Sequence, residues 1–128
     1  MKRRYEIIVQ GPPRPWTVYT KRGKPSQSFQ NLQVYQAQIQ AAIVNQVGKL
    51  ELIEGPVKLI MTFLREANTR PSKAPPITRP DLTNYEKAAE DALTGLLFVD
   101  DSQVVEKHCS KGWCPDADGR TYIVVEEL

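Results

Sequence analysis

Apolar and polar positions repeat with two different periods along this chain, and the switch between them marks its elements. Residues 5–9 are β-branched, partly alternating and stopped by Gly11-Pro12-Pro13, which predicts a first strand. Over residues 30–47 the spacing changes. Leu32, Tyr35, Ile39, Ala42, Ile43 and Val47 recur every three or four positions, as on an amphipathic helix, and Gly48 marks its end. Alternation returns over 56–64, entered through Gly55-Pro56, and a second helical stretch runs from Asp81 to Gly95. Residues 103–109 and 121–125 read as two closing strands, with Pro115-Asp116-Ala117-Asp118-Gly119 as the hairpin loop between them. The order β-α-β-α-β-β predicts an α+β fold in which a small mixed sheet of about four strands packs with two helices. With 128 residues and 41% apolar content the chain fits one core, so residues 1–128 read as a single domain.

Two segments resist this patterning. Residues 11–28 and 66–80 are rich in proline and carry Arg14, Lys21, Arg22 and Lys24 in the first and Arg70, Lys73 and Arg79 in the second. Long loops inside a compact domain are usually functional or disordered. The net charge of +2 does not announce a nucleic-acid binder, but charge is segregated: within the first 24 residues seven lysines and arginines face the single acid Glu6. Arg14, Lys21, Arg22, Lys24, Arg70, Lys73 and Arg79 are the loop candidates for contact with the phosphates of a polyanion. No apolar run approaches the roughly 20 residues that cross a bilayer, and the N-terminus lacks the order of a signal peptide. A cytoplasmic location is expected, where Cys109 and Cys114 are thiols.

Chemistry concentrates around the second helix. At about 100° per residue, Leu82, Tyr85, Ala89, Ala92, Leu93 and Leu96 form a core stripe, while Thr83, Asn84, Lys87, Glu90 and Asp91 share the opposite polar face. Asp81 stands at the helix start, and Asp100 and Asp101 follow in a turn before a strand. Carboxylates gathered beside a lysine suit a hard cation and a phosphate, since Mg²⁺ takes one or two carboxylates plus waters and phosphate oxygens. Spacing alone leaves an alternative open: Asp81 as a helix cap, Lys87 paired with Asp91 at i+4, and the Asp-Asp pair in a solvated turn.

The run Arg79-Pro80-Asp81-Leu82-Thr83-Asn84-Tyr85-Glu86-Lys87, continued by Asp91-Ala92-Leu93-Thr94-Gly95 and Asp100-Asp101-Ser102-Gln103-Val104-Val105, resembles the RusA family of Holliday-junction resolvases. The resemblance implies a homodimeric, Mg²⁺-dependent endonuclease that binds four-way DNA junctions and cuts them by paired, symmetric nicks in recombination and repair. It also implies that Asp81, Asp101 and Lys87 are the essential acids and lysine, with Asp100 beside them in the acidic pair. One position departs: the family has a second acid where this chain has Thr83. Glu90, seven residues or nearly two turns later, projects from almost the same side of the helix and is the candidate replacement ligand. The expected metal set is therefore Asp81, Asp100, Asp101 and Glu90.

A non-catalytic junction-binding protein is the competing reading, and Thr83 is its best argument. His108, Cys109, Cys114 and Asp116 form a second cluster of metal-binding residue types, but neighbouring strand residues point to opposite faces and the spacing matches no standard zinc hook.

Overall fold

A computed structural model describes residues 2–67, 74–116 and 118–128, with only the backbone described at Thr20 and Lys21. The elements are β1 (Arg4–Gln10), β2 (Thr20–Lys21), β3 (Lys24–Pro25), α1 (Gln27–Gln46), β4 (Val57–Arg65), α2 (Leu82–Leu93), β5 (Val104–Trp113) and β6 (Arg120–Glu127). Four strands form a mixed sheet in the order β1-β6-β4-β5, antiparallel except for the parallel β4–β5 pair. The chain is thus an α+β fold, with its two helices and four main strands in the order the patterning predicts.

Both helices cover one face of the sheet. Val57, Leu59, Met61 and Phe63 of β4 alternate inward with Ile7 and Val9 of β1 and Ile123 and Val125 of β6. Against them lie Leu32, Tyr35, Ile39 and Ile43 of α1 and Tyr85, Ala88, Ala89, Ala92 and Leu93 of α2. The three alanines leave room for α2 to approach closely, and Tyr85 stacks on Phe63 with ring centroids 5.3 Å apart. Each large side chain buried here contributes roughly 1.5–3 kcal/mol. One polar pair lies inside: the Tyr35 hydroxyl and Thr121 Oγ1 are 2.7 Å apart, which satisfies both hydroxyl groups.

Two departures from the sequence pattern have physical causes. The basic loop contains a small ribbon, β2–β3, turned by Arg22 and Gly23 with φ of 55° and 80°, a two-residue hairpin whose strands are too short to show alternation. Strand β5 runs to Trp113, past the expected end at residue 109, because β4 pairs with it as far as Arg65. As the edge strand of the sheet, β5 needs no apolar alternation over Ser110, Lys111 and Gly112.

Candidate active site

The chain enters α2 through a segment held from the far ends of β4 and β5. Lys111 Nζ donates to the carbonyls of Thr78 and Pro80, each at 3.1 Å, Arg65 Nη1 donates to Thr78 Oγ1 at 3.0 Å, and Trp113 Nε1 donates to the carbonyl of Ala74 at 3.0 Å. The Arg65 guanidinium lies 5.1 Å from the centre of the Trp113 ring. Asp81 follows directly. It has the extended backbone of an N-cap residue, yet its side chain makes no capping bond; only its carbonyl is used, by the N–H groups of Asn84 and Tyr85. An exposed carboxylate is thus left free at the positive end of the helix. The cap reading of Asp81 does not describe this structure.

Lys87 lies farther along the same face. Its Nζ sits 3.8 Å from the centre of the Trp16 ring, while the backbone N–H of Trp16 donates to the carbonyl of Asn84 at 2.9 Å. A cation over an indole face gains about 0.5–2 kcal/mol and loses rotamer freedom. Trp16 is half-buried against the core, with the Lys87 ammonium over its ring face. Tyr19 packs edge-on to Phe29 and stays exposed. The expected pairing of Lys87 with Asp91 reduces to a longer-range attraction: partial burial raises the Asp91 pKa, the Lys87 charge opposes the rise, and the Asp101 carboxylate adds to it.

At the other end of α2 most acids are already matched. Lys107 of β5 reaches Glu90 at 2.5 Å and Glu86 at 3.5 Å. Partial burial works against its charge, but the two carboxylates outweigh it and raise its pKa. Glu90 is thus engaged in an ion pair from β5, whose approach to α2 is invisible in helical spacing. Burial, with Glu86 next in effect, pushes the Cys109 thiol up to about 12, which makes it a poor nucleophile at neutral pH.

The Asp-Asp pair divides. Asp100 caps the short 3₁₀ turn Asp101–Gln103, accepting from the Ser102 N–H at 3.1 Å and from its hydroxyl at 2.5 Å, and these bonds lower its pKa. Gln103 completes a reciprocal cap: its carbonyl oxygen accepts from the N–H groups of Val99 and Asp100, and its amide donates to the carbonyls of Ile53 and Gly55. Asp101 has no such task. Its exposed carboxylate shares a cleft of about 220 Å³ with Glu90, Val104, Val105, Glu106 and Lys107.

These contacts fix the direction of α2 over β5. Lys107, early in β5, meets Glu90 near the helix end, and Lys111, late in β5, meets the segment before the helix start, so the two elements run antiparallel. Asp81 and Asp91 are ten residues apart, about 15 Å of helix rise. Asp101 lies at the Asp91 end. Among the described residues no three His, Cys, Asp or Glu side chains are close enough to hold one ion. The donor set still suits Mg²⁺ chemically, as a hard cation satisfied by one or two carboxylates and completed by water and phosphate oxygens. Asp81 and Asp101 are the two candidates with uncommitted charge.

The candidate phosphate contacts also divide. Arg22 and Lys24 stand exposed on the β2–β3 ribbon, Lys21 lies on its first strand, and Arg79 is exposed just before α2. Arg14 is paired with Glu66 at 3.1 Å. Arg70 and Lys73 lie outside the described residues. In the hairpin between β5 and β6, the Cys114 thiol lies 2.8 Å from Asp116 Oδ1, and Asp116 also pairs with Arg120. Sequence reasoning missed Lys107, Lys111 and Trp113, which act across elements and leave no local signal.

A protein-family model described as endodeoxyribonuclease RusA matches residues 10–126. Among curated proteins, an uncharacterized protein of Bacillus subtilis strain 168, YqaN, is 29% identical over 137 aligned positions, covering 88% of this chain and 95% of its own length.

Proposed function

Since the chain belongs to the RusA endodeoxyribonuclease family, we propose that it is a Mg²⁺-dependent, homodimeric resolvase that cuts four-way DNA junctions by paired symmetric nicks in the cytoplasm. The observation that carries this reading is the separation of roles around α2: Asp81 and Asp101 keep uncommitted carboxylates, while Asp100 and Glu90 are occupied in a cap and an ion pair. Asp81 and Asp101, toward opposite ends of α2, would each offer a carboxylate to Mg²⁺, which when bound would supply neutralisation of phosphate charge and a more acidic attacking water.

The protein's own residues do the rest. Trp16 holds the Lys87 ammonium on the exposed face of α2, where it would meet a non-bridging oxygen of the scissile phosphate and stabilise charge developing in the transition state. Lys111, Arg65 and Trp113 fix the backbone ahead of Asp81, so its carboxylate is placed rather than free to wander. Exposed Arg22, Lys24 and Arg79 would contact phosphates of the junction arms, giving binding that weakens steeply with salt. Thr83 favours a second reading, a junction-binding protein without cleavage, because a hydroxyl replaces a carboxylate. A mobile four-way junction incubated with the protein in Mg²⁺, beside a binding titration in Ca²⁺, separates the two. Symmetric nicks support the resolvase; tight binding without nicks supports the second reading.

A further inference from the structure

Trp16 and Tyr19 stand three residues apart in the same basic loop, but the fold uses them differently. Trp16 is half-buried and spends a ring face on the Lys87 ammonium. Tyr19 is 55% exposed, and its contact with Phe29 is T-shaped, with ring centroids 4.9 Å apart and planes crossing at 81°. Such a contact holds the ring in place yet leaves at least one of its faces uncovered by Phe29. The backbone beneath is held as well. The Ser26 N–H donates to the Tyr19 carbonyl at 3.1 Å, and Ser26 caps α1 by accepting from the Phe29 N–H at 3.0 Å. Ring and backbone are thus both tied to the start of α1, so little freedom is left to lose when something settles on the open face.

The surroundings carry one sign of charge. Directly after Tyr19, the β2–β3 ribbon turns through Arg22 and Gly23 and presents Arg22 and Lys24 to solvent. Between Glu6 and Glu51 the chain contains no aspartate or glutamate. An apolar partner would not need these cations, whereas a nucleic acid would: an aromatic face takes the π face of a base while cations hold the flanking phosphates. In a continuous duplex those base faces are covered by their neighbours. What Tyr19 can receive is therefore a base that has lost a stacking neighbour, as at a branch point. The loop sets this contact near the acid site. The backbone of Trp16 is bonded to Asn84 of α2, and three residues of extended chain reach at most about 11 Å from there to Tyr19.

We propose that Tyr19 is a stacking wedge: its ring takes an unstacked base at the crossover of a branched DNA, with Arg22 and Lys24 on the phosphates beside it, and the contact favours branched DNA over continuous duplex. The choice of DNA rests on the nuclease reading. The contact itself needs no cleavage, so it is tested by binding in Ca²⁺.

Affinities for a four-way junction and for a linear duplex of the same sequences are measured with wild type, Tyr19→Ala and Tyr19→Phe. Tyr19→Ala should weaken junction binding about tenfold, the scale of one base stacked on an aromatic ring, and leave duplex binding within about twofold. Tyr19→Phe keeps the face and should stay close to wild type on both. Equal losses on junction and duplex, no loss on the junction, or Tyr19→Phe as weak as Tyr19→Ala would each overturn the stacking role. The wild-type complex supplies a second arm that requires no variant to fold. A junction carrying 5-iodouracil at the crossover, irradiated in near-ultraviolet light, should crosslink to Tyr19, and crosslinks confined to other residues would contradict the contact. Wild type that binds junction and duplex alike rejects the wedge together with the branched-substrate reading. Preferential junction binding with no cleavage in Mg²⁺ rejects the nuclease reading, and the variants and the crosslink then still decide the wedge.

Discussion

The two ends of α2 carry similar numbers of charges but use them differently. At the start, Lys111 and Trp113 of β5 bind backbone oxygens, Arg65 of β4 binds the Thr78 hydroxyl, and the Asp81 carboxylate is left alone. At the end, Lys107 pairs with Glu86 and Glu90, whereas Asp91 and Asp101 make no ion pair or side-chain hydrogen bond with a described residue. A carboxylate that folding has already satisfied has little left to give a cation. The difference teaches that acids around this helix should be ranked by what already holds them, not by closeness in sequence.

The largest effect is expected at Asp81. Asp81→Asn should lower junction cleavage at least ~100-fold, because the lost charge is a metal ligand, while thermal stability stays within about 0.5 kcal/mol, since no capping bond is lost. A large drop in melting temperature would show instead that Asp81 supports the helix. Next comes the Lys87 platform. Trp16→Leu keeps an apolar filler but removes the π face, and cleavage should fall roughly 10-fold, as for groups that orient a reacting residue; Trp16→Phe should recover part of it. Binding in Ca²⁺ should change less than the cleavage rate, and an equal loss in both would assign Trp16 to DNA contact.

A smaller effect is expected at the matched end. Glu90→Gln should lower stability by about 1 kcal/mol after allowance for solvent screening, and leave the cleavage rate within a few-fold. The sign with pH follows from the raised Lys107 pKa: the pair contributes fully below the ordinary lysine value and loses its contribution as pH rises through the raised one. Melting temperatures of wild type and Glu90→Gln should therefore converge at strongly alkaline pH. Abolished cleavage with unchanged stability would return Glu90 to the metal site.

Much of the fold was legible because its core residues are local in pattern: the inward row of β4 and the stripe on α2 are periodic in sequence. Strand β5 was read short because its outer half is polar, and the β2–β3 ribbon was hidden by its length. For the site, the run from Arg79 to Val105 supplied Asp81, Lys87 and Asp101, but not their environments. Whether Asp100 caps a turn depends on Ser102 and Gln103 folding back on it, and whether Glu90 is free depends on Lys107, seventeen positions later. Trp16, placed by a proline-rich loop seventy-one positions before Lys87, could be named in sequence but not assigned its contact.

The sharpest test sets neighbours against each other. Asp100→Asn and Asp101→Asn remove the same charge one residue apart, and their cleavage of a four-way junction in Mg²⁺ can be measured side by side. Asp101→Asn is expected to be inactive and Asp100→Asn to retain most of the wild-type rate, with the turn loosened but Asp101 still present. Loss of cleavage in Asp100→Asn with activity kept in Asp101→Asn would contradict that expectation.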